Sequence, residues 1–152
     1  MEFHFETLAK NRKSIVYLTE NLSEEQLNKI PKGFKNNIAW NVAHLMVTQE
    51  LLCYKLSGLN GTIKDDVIDK FRKGTKPNQI VTLQEFKLIK THFLDLTKKL
   101  EDDYNKGIFK SYNNYTTSLN VELKSFEDAL TFNVFHEGIH LGIILQLLKL
   151  VS

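Results

Sequence analysis

The sequence predicts an all-α protein, a four-helix bundle with long crossover connections. Three observations lead there. Apolar residues recur at helical spacing in four long segments. Capping residues punctuate the chain where the later segments begin and end. The chain has 152 residues, 42% hydrophobic and 25% charged, which suffices for one well-buried domain and is too little to expect two, so residues 1–152 are read as a single unit.

Phe5, Leu8, Ile15, Leu18 and Leu22 share a stripe while Glu6, Lys10, Arg12 and Lys13 take the other faces, so residues 4–21 form a first amphipathic helix. Ser23 opens SEEQ, a capping box for one or two turns that end at Pro31. After the polar loop KGFKNN, residues 38–57 form a second long helix, IAWNVAHLMVTQELLCYKLS, with Gly58 as its left-handed cap. Residues 58–81 carry GLNGT and RKGTKPNQ around a short helical segment, DDVIDKF, and suit a long crossover better than a tight hairpin. Thr82 and Glu85 form a second capping box, and Phe86, Ile89, Phe93, Leu96 and Leu100 supply the stripe of a third helix that ends near Gly107. The stretch KSYNNYTTSLNVELKS is polar and β-branched, an extended loop or a brief strand. Ser125 with Asp128 then caps a fourth helix, 126–150, apolar almost all round, which predicts burial on several sides, within its own bundle or against a second subunit.

Charge excludes some functions. The formal net charge is +2, with 20 basic against 18 acidic residues spread along the chain, so neither nucleic acid nor an anionic membrane is an expected partner. The single cysteine, Cys53, cannot form an internal disulfide, and MEFHFETLAK lacks the apolar core of a signal peptide, so a cytoplasmic protein is expected. No apolar run approaches a membrane span, the longest being interrupted by Lys149.

The chemistry concentrates in FHEGIHLGII, residues Phe135 to Ile144, which contains His-Glu-x-x-His. Four residues along an α-helix rotate by about 40° and rise about 6 Å, so His136 and His140 project from one face and can share an ion. A histidine among apolar neighbours is otherwise a hydrogen-bonded core residue, but burying two imidazoles is costly unless something satisfies their nitrogens, and a metal does so for both. Zinc proteases take their third ligand downstream, yet LGIILQLLKLVS after His140 holds no His, Asp, Glu or Cys, and Ile143 and Gln146 stand where the longer protease pattern needs glycine and histidine. The protease reading therefore loses its ligand. Upstream, His44 lies mid-helix on the face of Trp40, Thr48 and Leu51, and antiparallel packing of the second and fourth helices would bring it to the pair. Cys53, nine residues on, is turned by about 180° from His44. His92 sits off its helix's apolar stripe and His4 at a helix start, positions of solvated or edge residues.

The combination of NNIAWNVAHL in the second helix, a long crossover, and FNVFHEGIHLG in the last helix resembles the DinB-like superfamily, which includes the bacillithiol S-transferase-like proteins, and the resemblance covers essentially the whole chain. It implies a DinB-like four-helix bundle holding one divalent metal through His44, His136 and His140, and commonly a homodimer; since zinc, nickel, iron and manganese all accept imidazoles, zinc or nickel is expected before iron or manganese. It also implies metal-dependent chemistry on a small molecule, by joining a low-molecular-weight thiol to an electrophile or by metal-dependent isomerisation or hydrolysis. The expected function is the thiol transfer, with hydrolysis by activated water and metal binding without catalysis as alternatives. Ile143 departs from the resemblance where a glutamine is frequent, which removes a polar contact at that position.

A dication held by three neutral imidazoles keeps its charge and an open position, and lowers the pKa of a thiol or water bound there. Because the imidazoles must be neutral to bind, occupancy is expected to fall below about pH 6. Trp40, Asn41 and Thr48 with Asn133 and the crossover are the expected pocket walls. Glu137, turned about 100° from His136, is either a base for water at the metal or a solvated or salt-bridged carboxylate. Gly138 and Gly142, on the side away from the histidines, mark either a close helix approach or mere tolerance. Phe135, Leu141, Leu145 and Leu148 also face away from the histidines, and a two-fold dimer would cover them.

Overall fold

The computed structural model describes residues 1–152. Six α-helices run in chain order: α1 (Glu2–Leu18), α2 (Glu24–Asn28), α3 (Ile38–Gln49), α4 (Asp65–Phe71), α5 (Leu83–Asn105) and α6 (Phe126–Val151). Between the last two lies a two-residue antiparallel hairpin, β1 (Tyr115–Thr116) on β2 (Glu122–Leu123), paired Tyr115 to Leu123. The caps act as the sequence predicts. Ser23 and Thr82 each make a full capping box, and Ser125 accepts from the Asp128 amide; Asn37, a residue of the polar loop in the sequence reading, also caps α3 by accepting from the Trp40 amide. Gly58 ends the second helical run at φ 71°, a conformation that costs a glycine little.

The second run departs from one expectation. Instead of a continuous α-helix over 38–57, α3 stops at Gln49, gives way to a π turn over Glu50–Tyr54, and finishes in a 3₁₀ turn over Lys55–Ser57. Nothing in ELLCY breaks a helix. The turn begins where the chain meets a tertiary contact: the buried Glu50 carboxylate is covered by the crossover, where it accepts from the Thr62 amide. Gly61 admits it, since a Cβ there would collide with that carboxylate.

α1 and α3 each pack against both α5 and α6, so the four long helices form a square with α1 diagonal to α3. Two apolar clusters fill it. One gathers Ile15, Leu45, Met46, Phe86, Phe93 and Ile144, and the other Phe5, Leu8, Leu52, Leu100, Phe126 and Leu130. On each of the four long helices the residues between the clusters include a buried polar one: Arg12 on α1, Gln49 on α3, Thr97 on α5, and Asn133 with Glu137 on α6. The bundle thus carries a polar layer across its middle. Arg12 corrects the sequence reading, which put it on a solvated face; it is fully buried and fits the spacing Leu8, Arg12, Ile15.

α6 is likewise less enclosed than its composition predicts. Phe135, Ile139 and Leu145 are exposed, as are Gly138 and Gly142 between them, whereas Leu141 and Leu148 pack onto the core of their own chain. At 26 residues α6 is also long and apolar enough, by length and composition alone, to cross a membrane, despite Lys149. In this fold it forms one wall of the bundle.

Candidate metal centre

His44 on α3 and His136 and His140 on α6 converge at the seam between the two helices, with one ligand nitrogen from each within 4.8 Å of the others. The ring centroids are 4.9 Å apart for His44 and His140, 5.3 Å for His44 and His136, and 4.5 Å for His136 and His140. The group has three members, and no fourth His, Cys, Asp or Glu joins it.

Two of the rings arrive with their tautomers chosen. His44 Nδ1 is 2.7 Å from the Phe71 carbonyl oxygen, and His140 Nδ1 is 2.7 Å from Asn41 Oδ1. Both partners only accept, so Nδ1 carries the hydrogen and Nε2 keeps its lone pair. Asn41 is held in that orientation because its Nδ2 donates to the Asn37 carbonyl at 2.7 Å and to Asn36 Oδ1 at 3.0 Å. Trp40 stacks on His44 at 4.5 Å and is itself fixed by donating from Nε1 to Thr75 Oγ1. His136 differs: its Nδ1 is buried without a hydrogen-bond partner. An orphaned imidazole nitrogen beside two imidazoles whose Nε2 atoms keep their lone pairs, that of His44 meeting the Thr48 hydroxyl at 3.3 Å, fits a cation that would complete it.

Burial also keeps the rings neutral. Desolvation, and then the charge His44 would carry, pushes His136 down to about 4. Desolvation, then His136 and His44, pushes His140 down to about 3. His44 is lowered by desolvation against the opposing pull of the Phe71 carbonyl. At neutral pH all three are unprotonated and ready to ligate.

The triad opens onto a cavity of about 550 Å³. Trp40 and Thr48 line it, as the sequence predicts, and the crossover contributes Lys73 and Gly74. Two expected wall residues do not. Asn41 stands behind His140 as its hydrogen-bond acceptor, and Asn133 is buried in the polar layer away from the cavity. The segment Tyr115 to Leu119 supplies a wall that sequence reasoning missed, because a polar loop gives no periodic signal of what it packs against.

Glu137 takes the salt-bridged alternative. It is fully buried on the core side of α6, accepting from Arg12 Nη2 at 2.6 Å and Arg12 Nε at 3.0 Å, with Asn11 Nδ2 at 3.3 Å. Arg12 in turn donates to the Phe93 carbonyl at 2.7 Å and lies over the Phe93 ring. The glutamate of His-Glu-x-x-His therefore does not face the cavity and is no base there. Cys53 is buried in the second apolar cluster, its thiol pushed far up by burial, and His92 is exposed. His4 lies beside Thr131, outside the triad.

A four-helix bundle that presents three neutral histidines from two neighbouring helices to one open cavity defines a class of helical proteins equipped to hold a metal ion. Residues 7–144 match the family model of the DinB superfamily, and the chain belongs to that superfamily. No curated protein matches it.

Proposed function

We propose that the protein is a metal-dependent enzyme that joins a low-molecular-weight thiol to an electrophile. The observation that carries this reading is the open triad, three neutral imidazoles facing a cavity of about 550 Å³ with no fourth protein ligand. A dication held by His44, His136 and His140 would supply Lewis acidity, lowering the pKa of a coordinated thiol. Zinc and nickel suit the donor set best, and iron and manganese also accept imidazole. The chain's own residues do the rest. Phe71 and Asn41 hold the ring tautomers, and the Thr48 hydroxyl, 3.3 Å from His44 Nε2, places a hydrogen-bond donor at the open side of the triad. Leu51, Leu52 and Phe132 keep that space apolar.

Hydrolysis is the second reading. The same dication would lower the pKa of bound water. With no carboxylate lining the cavity and Glu137 locked to Arg12, however, the proton must leave to solvent in either reaction, and the thiol, intrinsically the far stronger acid, gives it up with less help. We infer a cytoplasmic homodimer acting on a small molecule as the setting.

Elemental analysis of untagged protein, followed by a thiol-consumption screen with several electrophiles, tests the proposal. One metal per chain, lost in His44→Ala, with thiol loss only in the loaded protein, is the expected result. Turnover of esters without thiol would replace the transferase with the hydrolase. Metal without turnover of either kind would leave a binding role.

A further inference from the structure

The walls of the metal cavity are one-sided in charge. The chain as a whole balances 20 basic residues against 18 acidic ones, yet the only formally charged residues lining the cavity are Lys55 and Lys73. No aspartate or glutamate lines it. The three histidines are neutral, so a dication between them would add its whole charge to the same space. Hydroxyl groups of Thr48, Tyr115, Thr117 and Ser118 are the main polar remainder, and the rest of the surface is largely leucine and aromatic.

The two lysines are free to serve a ligand. Lys73 makes no ion pair; Lys55 pairs only with Asp65, 3.4 Å away, 85% exposed and outside the cavity, though its charge also acts on the buried Glu50 carboxylate, which does not line the cavity. A pair so exposed is screened and holds the ammonium weakly. The lysines also stand apart. Lys73 follows Phe71, whose carbonyl binds His44, and so lies at the histidine end. Lys55 is eleven residues beyond His44 on the same helical run, roughly 15 Å along its axis, with Leu51 and Leu52 between.

We propose that the cavity takes an anionic amphiphile, a small acid whose charge is met by Lys55 and Lys73 and whose apolar body lies on Leu51, Leu52 and Leu119. Lys55 grips an acid group remote from the reacting end, and Lys73 offsets negative charge beside the histidines. The inference deepens the proposed function, since it names the substrate class of that site, but the lysines and leucines stand whether or not a metal is bound.

Trp40, the only tryptophan in the chain, lines the cavity and stacks on His44, so its emission reports occupancy. Full-length zinc-loaded protein is titrated with octanesulfonate, an anion that ligates zinc poorly, and with octyltrimethylammonium, which has the same tail and the opposite charge. Octanesulfonate should give a saturable change and bind about tenfold or more tightly than the ammonium. Lys55→Gln and Lys73→Gln should each raise its Kd about fivefold, while Lys13→Gln on the outer face of α1 leaves it unchanged. The double variant Lys55→Glu/Lys73→Glu should reverse the preference. Metal-free protein should keep the preference for the sulfonate, so a failure of the metal reading would show as protein that takes up no zinc and leave this result standing. Equal affinity for the two probes, or lysine variants that bind the sulfonate like wild type, would overturn the inference.

Discussion

Asn41 holds His140 by a single hydrogen bond and touches nothing the metal would touch. Loss of such a supporting partner typically costs tenfold to a hundredfold in metal affinity. Asn41→Ala should therefore weaken zinc binding by about that factor in a competition assay with a chromophoric chelator, with the fold intact by circular dichroism; unchanged affinity would mean His140 is aimed by packing alone. The same histidines set a pH dependence. In the unfolded chain an imidazole titrates near about 6.5, whereas in the fold His136 is pushed down to about 4 and His140 to about 3. As pH falls below about 6.5 the unfolded chain takes up protons that the folded chain refuses, so the stability of metal-free protein should fall through pH 6 toward 4. Urea unfolding at a series of pH values checks this, and a midpoint flat from pH 7 to 4.5 would contradict it. Burial also moves the pH at which His136 and His140 protonate below the value of about 6 that an ordinary imidazole implies. The triad was legible because ligand pairs on a helix recur at four residues and a mid-helix histidine stands out. The supporting contacts were not, because an asparagine or a backbone carbonyl carries no mark of the ring it will meet.

Between elements, the strongest polar link is Arg12 on α1 to Glu137 on α6, both fully buried. Breaking a buried pair from one side strands the other charge and costs about 3–5 kcal/mol, whereas replacing both partners with apolar groups is often neutral. Arg12→Met should thus lower unfolding stability by that amount, and Arg12→Met/Glu137→Leu should restore most of it. A double variant no more stable than Arg12→Met would refute the pairing account. Sequence reasoning missed this link for a physical reason. Arginine is mostly a surface residue, and only a partner 125 positions away makes its burial tolerable. Helix boundaries fared better, since capping boxes are local. The π turn at Glu50, where the crossover loop covers the carboxylate, leaves no trace in the local pattern.

For the whole molecule, the apolar face left on α6 bears on assembly. Phe135, Ile139 and Leu145 are 53%, 41% and 39% exposed, and a Cβ added at Gly138 or Gly142 would meet nothing within 4 Å. The close helix approach considered for these glycines is therefore not made within the chain. Sedimentation equilibrium at micromolar concentration should show a dimer, and Gly142→Leu should lower association without lowering monomer stability; a mass fixed at 17.6 kDa at all concentrations would exclude the dimer. The four-helix plan was legible at this scale from periodicity and size, and so was the crossover's place at the cavity, but the wall from Tyr115 to Leu119 was not.

The carbonyl that fixes His44 belongs to Phe71, at the end of α4, and Thr75 just beyond it anchors Trp40. The crossover is thus as much a part of the centre as the helices, and it presents exposed Lys73 and Gly74 to a protease. Metal and peptide bond should then protect one another. Zinc ought to slow tryptic cleavage at Lys73–Gly74 by holding His44 against Phe71, and a chain already cut there ought to surrender its zinc faster than an intact one.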